Sequence, residues 1–465
     1  TRFLDIITHG SKTPWTVDAQ RIFRSYYLHF EKEYLAKGGK KLSITVADAM
    51  LAYITIYGYD TLLDTPPSVL GKNLSKIWNE FLMVGEDRTI ALILEPGEKH
   101  VNPLLAKLKT LTSGTLKVAF VHEKDAESSA WTYSHELGRA HIEQKFGSHI
   151  ATHCFDNIKD EEAGDVIEQI IRDKYDIIFT TSPQLMIPSL RAAVNHPDKK
   201  ILNCSLNTSH RYIRTYYARL YEAKFIAGAI AAMMCRTGRI GYIADYPIYG
   251  MVANINAFAL GARLINPYAK IFLEWSTRAG ADPIKSFKDR DIHYISGKEM
   301  IIPNHPSRRF GLYRESDSKP VNIAMPVWDW GKFYEQLIQS ILTGSFKEDE
   351  PARSNQALNY WWGMSAGVVD LICSEKLPES AGTLASLLRQ NIASETFSPF
   401  SGTIYDNQGH LIKRKDTSFT PDEIMAMDWL ADNVIGTIPG IDELTKEARP
   451  VVLLQGLINS EFDRI

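Results

Sequence analysis

The sequence predicts an α/β protein in which two open units built on parallel sheets follow a small, mainly helical module. Three observations carry this prediction. From Leu116 onward, short β-branched runs alternate with segments of helical periodicity, a pattern typical of a parallel sheet covered on both faces. A second set with the same alternation begins at Arg239. Residues 1–113 lack the alternation and have mostly helical spacing of apolar residues.

The N-terminal module is predicted from three helical segments and one strand. The helical segments are "WTVDAQRIFRSYYLHFEKEYLAKGG", which ends in a Gly-Gly stop, "SITVADAMLAYITIYG", which begins with a Ser cap candidate, and "SVLGKNLSKIWNEFLMVG". The run "RTIALILEPG" predicts one strand followed by a turn, and "LTSG" predicts a linker. We therefore place the module at residues 1–113.

The first α/β unit is predicted from the strands "LKVAFV", "HIATHCF", "DIIFTT" and "KKILNCSL". Between them lie the helical segments "WTYSHELGRAHIEQKFG", "DEEAGDVIEQIIRDK" and "SPQLMIPSLRAAVNH". A long helix rich in small residues, "YEAKFIAGAIAAMMCRTG", closes this unit. Each helix is long enough to cross over between neighbouring parallel strands.

The second unit is predicted from "RIGYIAD", the helix "GMVANINAFALGARLIN", and the strands "KIFLEW", "DIHYIS", "RRFGLYR" and "VNIAMPVW". The helix "WGKFYEQLIQSILTGSF" follows. The last hundred or so residues return to mixed structure, with a hairpin predicted around "DNQG". Two open α/β units in one chain commonly face each other across a cleft.

Composition excludes several classes of function. The chain has 465 residues, 45% of them hydrophobic and 23% charged, and a net charge of −3, so nothing favours nucleic acid or an anionic membrane as a partner. It contains no apolar run long enough for a transmembrane helix. None of the four cysteines lies in a Cys-x-x-Cys pair or in a Cys/His group with zinc-ligand spacing, so we expect buried free thiols and no metal site.

No catalytic constellation is found in the sequence. It has no phosphate-binding Gly-x-x-x-x-Gly-Lys loop, no Gly-x-Ser-x-Gly elbow and no His-Glu-x-x-His pair. His135 and His141 lie six residues apart, which places their imidazoles on different sides of a helix. We therefore expect no catalytic residues and no cofactor, and an enzyme on this scaffold, such as an α/β transferase, is the least favoured hypothesis.

Aromatic residues recur where predicted strands end, which is where open α/β sheets bind ligands. Trp131 follows the first strand at the start of a helix, and Trp328 and Trp330 follow the last strand of the second unit. Each ring alone is more often part of a core, but several rings at one cleft favour a flat ligand held by stacking. The predicted ligand-binding residues are Ser129, Trp131, Tyr217, Asp245, Tyr246, Ser296, Trp328 and Trp330.

Several stretches match one known family in sequence and in order. They are "AWTYSHELGR", "TYYARLYEAKFIAG", "NINAFALGARLINP", "VWDWG", "FSGTIYDNQGHLI" and "FTPDEIMAMDWLADNVIG". Between Lys117 and about Gly436, or about two-thirds of its length, the chain resembles the basic membrane protein (BMP) family of ABC-transporter solute-binding proteins, the PnrA-like group.

This resemblance implies a type I periplasmic-binding-protein fold, in which two Rossmann-like lobes enclose a cleft. Lobe 1 is expected at about 114–238 and lobe 2 at about 239–325, and each receives part of the C-terminal region up to residue 465. The resemblance further implies a purine nucleobase or nucleoside as ligand, with Trp131 stacking on the base, Asp245 bonding ribose hydroxyls, and Trp328 and Trp330 on the hinge side.

The chain also departs from the family pattern. Ser129 and Ala130 stand where the relatives have glycines, and the loop "EKDAE" before them is acidic. Arg314 ends a strand that carries carboxylates in the purine-binding subgroup, and "SGKEMIIPNHPSRRF" is unusual. The N-terminal module has no counterpart in the ordinary receptors.

Two roles therefore stay open. The first is a solute-binding protein that works with an ABC permease outside the cytoplasm, membrane-associated through a lipid anchor if the chain is processed. The second is a ligand sensor in which the N-terminal module passes lobe closure to a regulatory partner. Because no signal pattern is visible at the N-terminus, a cytoplasmic location is the alternative for the sensor.

Overall fold

A computed structural model describes residues 114–456 apart from short gaps, together with residues 91–93 and Val69. The gaps are residues 207–212, 301, 306, 317–318, 344–345 and 347–357. Apart from the single position Val69, the three predicted helical segments of the N-terminal module lie outside the described residues.

The strands and helices of the described residues are numbered in chain order. The strands are β1 Ala91–Ile93, β2 Leu116–Val121, β3 Ile150–Phe155, β4 Ile177–Thr180, β5 Lys200–Cys204, β6 Arg214–Ala218, β7 Arg239–Ala244, β8 Lys270–Trp275, β9 Tyr294–Ser296, β10 Leu312–Arg314, β11 Val321–Trp328, β12 Leu358–Trp362, β13 Val369–Cys373, β14 Ile404–Tyr405, β15 Leu411–Lys413 and β16 Val434–Ile435. The helices are α1 Ala130–Phe146, α2 Asp160–Arg172, α3 Met186–Asn195, α4 Tyr221–Met234, α5 Met251–Ile265, α6 Pro283–Asp289, α7 Trp330–Leu342, α8 Glu379–Ala393, α9 Pro421–Met425 and α10 Arg449–Gln455.

Lobe 1 is built on a seven-stranded sheet in the order β1-β12-β6-β5-β4-β2-β3. Every neighbouring pair in it is parallel, as the alternation of strands and helices predicted. β2 and β4 are almost wholly buried, which fits strands covered by helices on both faces. The sheet therefore presents the carboxyl ends of its parallel strands along one edge.

Lobe 2 is built on a second seven-stranded sheet in the order β13-β11-β10-β9-β7-β8-β16. The pairs of β7 with β8 and β9 are parallel, but β9–β10, β10–β11 and β11–β13 are antiparallel. The sheet is therefore mixed. Among the described residues no helix lies between β9, β10 and β11, and a loop alone returns the chain in the opposite direction.

The predicted fold class, two α/β lobes, is confirmed by these two sheets. The predicted C-terminal hairpin is confirmed as well, since β14 and β15 pair antiparallel around the turn that contains Gly409. The sequence analysis missed β6, so Tyr217 lies within a strand rather than in a loop after β5.

The chain crosses between the lobes earlier than the predicted boundary at 238. Helix α4 packs along α5 and against β9, β11 and β13, all of which belong to lobe 2. Gly228 and Gly261 permit this close packing, because a Cβ on either would overlap a backbone carbonyl of the facing helix. The small residues of α4 thus have a packing role inside lobe 2.

Three crossings join the lobes and lie side by side. The first follows β6 near Arg219, the second follows β11 at Asp329, and the third spans 363–368 between β12 and β13. The Arg219 backbone N–H donates to the Trp362 carbonyl at 2.8 Å, and the Asp329 N–H donates to the Val368 carbonyl at 2.8 Å. These bonds tie the crossings to one another, as expected for a hinge.

Strand β1 comes from the predicted N-terminal module. It pairs in parallel with β12 and so forms the edge of the lobe 1 sheet. The predicted strand in "RTIALILEPG" is thereby confirmed at Ala91–Ile93. Residues 91–93 therefore belong to the sheet of lobe 1.

Candidate ligand-binding site

Trp131 lies where β2 leads into α1, at the carboxyl edge of the lobe 1 sheet. Ser129 caps the helix, because its side chain accepts a hydrogen bond from the Thr132 backbone N–H at 3.2 Å. The Trp131 Nε1–H donates to the Thr181 carbonyl oxygen, just after β4, at 2.6 Å. The indole is therefore held at both its backbone and its ring.

Rings from three elements surround Trp131. Tyr217 of β6 lies nearly parallel to it, with centroids 5.9 Å apart and planes 28° apart. Trp328, at the end of β11, meets it edge-on at 5.1 Å, and Trp330 of α7 does so at 5.7 Å. Three predicted site residues that are far apart in sequence are thus brought together with Trp131.

These rings differ in exposure: some are partly exposed, and one is buried. Trp131, Tyr217 and Trp328 are half-buried. Trp330 is 1% exposed and stacks on the buried His135 ring at 4.7 Å. In this structure Trp330 supports the other rings from behind, and whether it touches ligand stays a prediction.

His135 belongs to the buried base of the ring cluster. Its Nδ1 lies 2.6 Å from the Tyr334 hydroxyl of α7. Burial, with a smaller effect of the nearby His122, lowers the pKa of His135 well below its ordinary value, so the imidazole is neutral at physiological pH. The His141 Nε2 lies 2.6 Å from Glu335, the next residue of α7, so both histidines contact α7 although the spacing predicted different sides of α1.

Asp245 and Tyr246 follow β7 at the edge of the lobe 2 sheet. Asp245 accepts a hydrogen bond from the Ser276 hydroxyl. Burial raises the pKa of the Asp245 carboxyl above its ordinary value, against the lowering effects of Ser276 and Lys298. The pKa of Tyr246 is also raised, by burial and by the charges of Asp245 and Glu123, so a lobe 2 phenol lies within electrostatic range of a lobe 1 carboxylate.

Ser296 lies at the end of β9, in a buried polar group that sequence reasoning missed. Its Oγ is 3.2 Å from the Lys224 Nζ, and that ammonium forms an ion pair with Glu299 at 2.7 Å. Lys224 is fully buried and also lies over the Tyr242 ring. Burial opposes the charge, but Glu299 and Tyr242 together outweigh this effect and raise the pKa of Lys224.

A signal for Lys224 was present in the sequence. It is the one charged residue between Glu222 and Arg236, in a segment otherwise composed of apolar and small residues. Lysine is almost never fully buried unless it is paired, so its position predicts a partner. The partner itself, 75 residues away in sequence, could not be predicted from that pattern.

A second missed group lies at the hinge. Glu222 accepts a hydrogen bond from the Met364 backbone N–H at 2.6 Å and pairs with Arg219 at 3.2 Å. The Arg219 guanidinium also donates to Ser365 at 3.0 Å. One buried ion pair therefore connects the first crossing to the third, on the side of the cleft where the resemblance implied a hinge.

Two segments that depart from the family pattern meet each other across the lobes. The Asn304 side-chain amide donates to the Glu127 carboxylate at 3.1 Å, and its backbone N–H donates to the Glu127 carbonyl at 3.4 Å. Glu127 ends the acidic "EKDAE" loop of lobe 1, and Asn304 lies in "SGKEMIIPNHPSRRF" of lobe 2. We name this contact the Glu127–Asn304 clasp.

The comparison with known families follows the same part of the chain. Residues 115–288 match the sequence model of the Bmp family, described as "ABC transporter substrate-binding protein PnrA-like". The family resemblance predicted from the sequence is confirmed. Members of the Bmp family are extracytoplasmic substrate-binding proteins, which bind a small molecule and work with a permease.

Two relatives of this chain are named for different ligands. A purine-binding protein of Brucella abortus is 27% identical over 310 residues, which are 63% of this chain and 85% of the relative. A protein of Haloferax volcanii, named as a candidate ABC transporter glucose-binding protein, is 24% identical over 308 residues, 62% of this chain and 76% of its own.

A solved structure also aligns with this chain. It is an ABC transporter solute-binding protein from Conexibacter woesei, at 13% identity and a TM-score of 0.46, covering 61% of this chain and 98% of its own. Among the described residues, no helix is both long and apolar enough to cross a membrane.

Proposed function

We propose that this protein binds a small planar heterocycle, a purine nucleobase or nucleoside, in the cleft between its lobes and works with an ABC importer. The observation that carries the proposal is the half-buried Trp131 ring, held by the Thr181 carbonyl at 2.6 Å and lying nearly parallel to Tyr217. Rings held in this way offer a flat face at little cost in conformational entropy.

Unpartnered donors beside Trp131 support a ligand with polar edges. The Trp328 Nε1–H is buried and has no hydrogen-bond partner among the described residues. A buried donor without a partner is unfavourable by about 1–3 kcal/mol. An acceptor on a bound heterocycle, such as a ring nitrogen or a carbonyl oxygen, would satisfy it.

The polar residues of lobe 2 support recognition of hydroxyl or amine groups. The charge of Glu299 affects Tyr217 of lobe 1, and the charges of Glu299 and Lys298 also act on Asp245. The ring cluster and the lobe 2 carboxylates are therefore neighbours in the cleft. Asp245, half-buried and bonded to Ser276, is the residue we propose as acceptor for ligand hydroxyls.

The experiment that tests this function identifies the ligand directly. Native mass spectrometry of the purified full chain, followed by analysis of the released molecule, should give a purine or nucleoside. Calorimetry with adenine, adenosine, guanosine and glucose should then show binding of at least one purine compound. Recovery of glucose, with no heat from any purine, would overturn the ligand class and agree with the name of the Haloferax relative.

A second candidate function, ligand sensing, is favoured by the pairing of β1 with β12. β12 runs directly into the third crossing, so a strand from residues 1–113 lies next to a segment that must move when the lobes close. Hydrogen exchange of the full chain should show altered protection at Ala91–Ile93 when ligand is added. Unchanged exchange there, in a protein shown to be saturated with ligand, would contradict the sensor.

A further inference from the structure

Three potential metal ligands lie behind the Trp131 ring. They are His122, just after β2, Glu136 of α1, and Cys154 of β3, and their donor atoms all lie within 4.8 Å of one another. The His122 Nε2 is 3.1 Å from the Glu136 Oε1, and the Cys154 Sγ is 2.7 Å from the same oxygen. His122 and Glu136 are 14 positions apart, and Glu136 and Cys154 are 18 positions apart. These spacings match no short metal-binding motif.

The His122 ring is oriented by a group outside the cluster. Its Nδ1 lies 2.8 Å from the Thr181 hydroxyl, and that hydroxyl lies 3.2 Å from the Val121 carbonyl, to which it can donate. When it does, Nδ1–H donates to Thr181 and Nε2 presents its lone pair to the cluster. A hydrogen bond of this kind on the distal nitrogen is the usual support of a metal-binding histidine.

The types of donor select the metal. Imidazole nitrogen, thiolate sulfur and carboxylate oxygen together suit Zn²⁺, whereas Ca²⁺ and Mg²⁺ take oxygen ligands almost alone. Three protein ligands leave a fourth tetrahedral position for water or another small donor. His122 is fully buried, and Glu136 and Cys154 are half-buried, so the site is reachable from one side.

The surrounding charge is compatible with a cation. Arg139 is the nearest cationic side chain, and it is shared between two carboxylates, Glu136 at 3.0 Å and Glu143 at 2.7 Å. Asp156 is close enough to interact with both His122 and Glu136. Three carboxylates therefore face one guanidinium before the thiol is ionised.

We propose that His122, Glu136 and Cys154 bind one Zn²⁺ ion through Nε2, Oε1 and Sγ. On binding, the Cys154 S–H bond breaks, the Zn–S bond forms, and the thiol proton passes to solvent. The ion binds His122, whose distal nitrogen contacts Thr181, and the Thr181 carbonyl holds Trp131. The metal thus stabilises the residue that positions the ligand-stacking ring, and its binding does not depend on the proposed ligand.

The test uses the full chain, treated with a chelator and then titrated with Co²⁺ as a spectroscopic probe. One equivalent should produce the near-ultraviolet thiolate-to-cobalt charge-transfer band and the visible bands of tetrahedral Co²⁺, and one equivalent of Zn²⁺ should remove both. Cys154→Ser should abolish the charge-transfer band and weaken Zn²⁺ binding by more than about 100-fold, since loss of an outer partner alone costs about 10- to 100-fold.

Cys373→Ser is the matched control, because Cys373 is also a free, half-buried thiol but lies on β13 of lobe 2. It should bind Co²⁺ as the wild type does. Glu136→Gln provides a second test if the circular-dichroism spectrum shows that Cys154→Ser does not fold. Absence of stoichiometric binding, or binding unchanged in both cluster variants, would overturn the proposal. The three side chains would then be joined by hydrogen bonds only.

Discussion

Trp131 combines a fixed position with a partly open face. The Ser129 cap, the Thr181 carbonyl and the Tyr217 ring hold it from three directions. Tryptophans that serve only the core of this protein, such as Trp275, are buried, whereas Trp131 is half-buried. The residue that the sequence singled out first is therefore also the best-supported member of the site.

Replacement of this ring tests the stacking directly. Trp131→Ala should weaken ligand binding about 10- to 100-fold, since stacking one base on an aromatic side chain contributes about 1–3 kcal/mol. Trp131→Phe should lose less affinity, because it keeps an aromatic ring although it removes the bond to Thr181. Tyr268→Ala, at an aromatic residue that is 86% exposed, is the control. Calorimetry gives the affinities, and unchanged affinity in Trp131→Ala would exclude stacking.

Candidate site residues can be selected from the sequence where the argument depends on local position. Asp245 follows β7 and Trp328 ends β11, and the rule that ligands bind at strand ends was enough to select both as candidates. Lys224 and Glu299, or His122 and Cys154, depend on partners from distant segments. No spacing rule applies to such pairs, because the sheet order that brings them together is a property of the folded chain.

Helices α1 and α7 show how an element-level contact depends on charge. Glu335 of α7 contacts His141 and Lys145 of α1 and Lys332 of its own helix. Burial opposes the carboxylate charge, but the hydrogen bonds from His141 and Lys145 outweigh it and lower the pKa of Glu335 to about 2. The charged carboxylate therefore stabilises the packing of the two helices.

The sign of the pH dependence follows from that lowered pKa. The stabilisation is complete above the ordinary carboxyl pKa of 4.5 and is lost as the pH falls toward about 2. In urea unfolding, wild type should be more stable than Glu335→Gln near neutral pH, and the difference should shrink below pH 4.5. Glu379→Gln, an exposed carboxylate at the start of α8, should show no such trend. If the difference in unfolding free energy between wild type and Glu335→Gln were the same at every pH, the charge of Glu335 would not stabilise the packing of α1 and α7.

The contact between α4 and α5 predicts that two Gly→Ala substitutions change the free energy of unfolding in opposite directions. Gly228→Ala should lower the free energy of unfolding by about 1–3 kcal/mol, because the new methyl overlaps the Phe258 carbonyl and pushes the helices apart. Gly382→Ala, in α8 with nothing within 4 Å of the new methyl, should instead raise it by about 0.5–1 kcal/mol. Chemical denaturation measures both, and equal signs would contradict the packing.

At the scale of the whole molecule, lobe closure is limited by the three crossings and by the Glu127–Asn304 clasp. The crossings lie on one side and are bonded to each other, which restricts the motion to a hinge. The clasp joins two exposed loops, one from each lobe. It can therefore form only when the lobes are close together.

The clasp should slow ligand release. Glu127→Ala should raise the dissociation rate roughly 2- to 10-fold, as expected for the loss of hydrogen bonds worth about 0.5–1.5 kcal/mol, with little change in the association rate. Glu375→Ala removes an exposed carboxylate after β13 and should change neither rate. Stopped-flow fluorescence of the site tryptophans provides the measurement, and an unchanged dissociation rate would show that the clasp does not hold the closed state.

By itself, the sequence determined the α/β class, the two-lobed order of most strands and helices, and the ring residues at the strand ends, because these follow from periodicity and from rules about parallel sheets. Only the tertiary structure decided the mixed direction of the lobe 2 sheet, the early crossing near Arg219, the β1–β12 pairing, the buried Lys224–Glu299 pair and the His122–Glu136–Cys154 cluster. These features arise between segments far apart in the chain, where the energy of a contact depends on partners that no local pattern specifies.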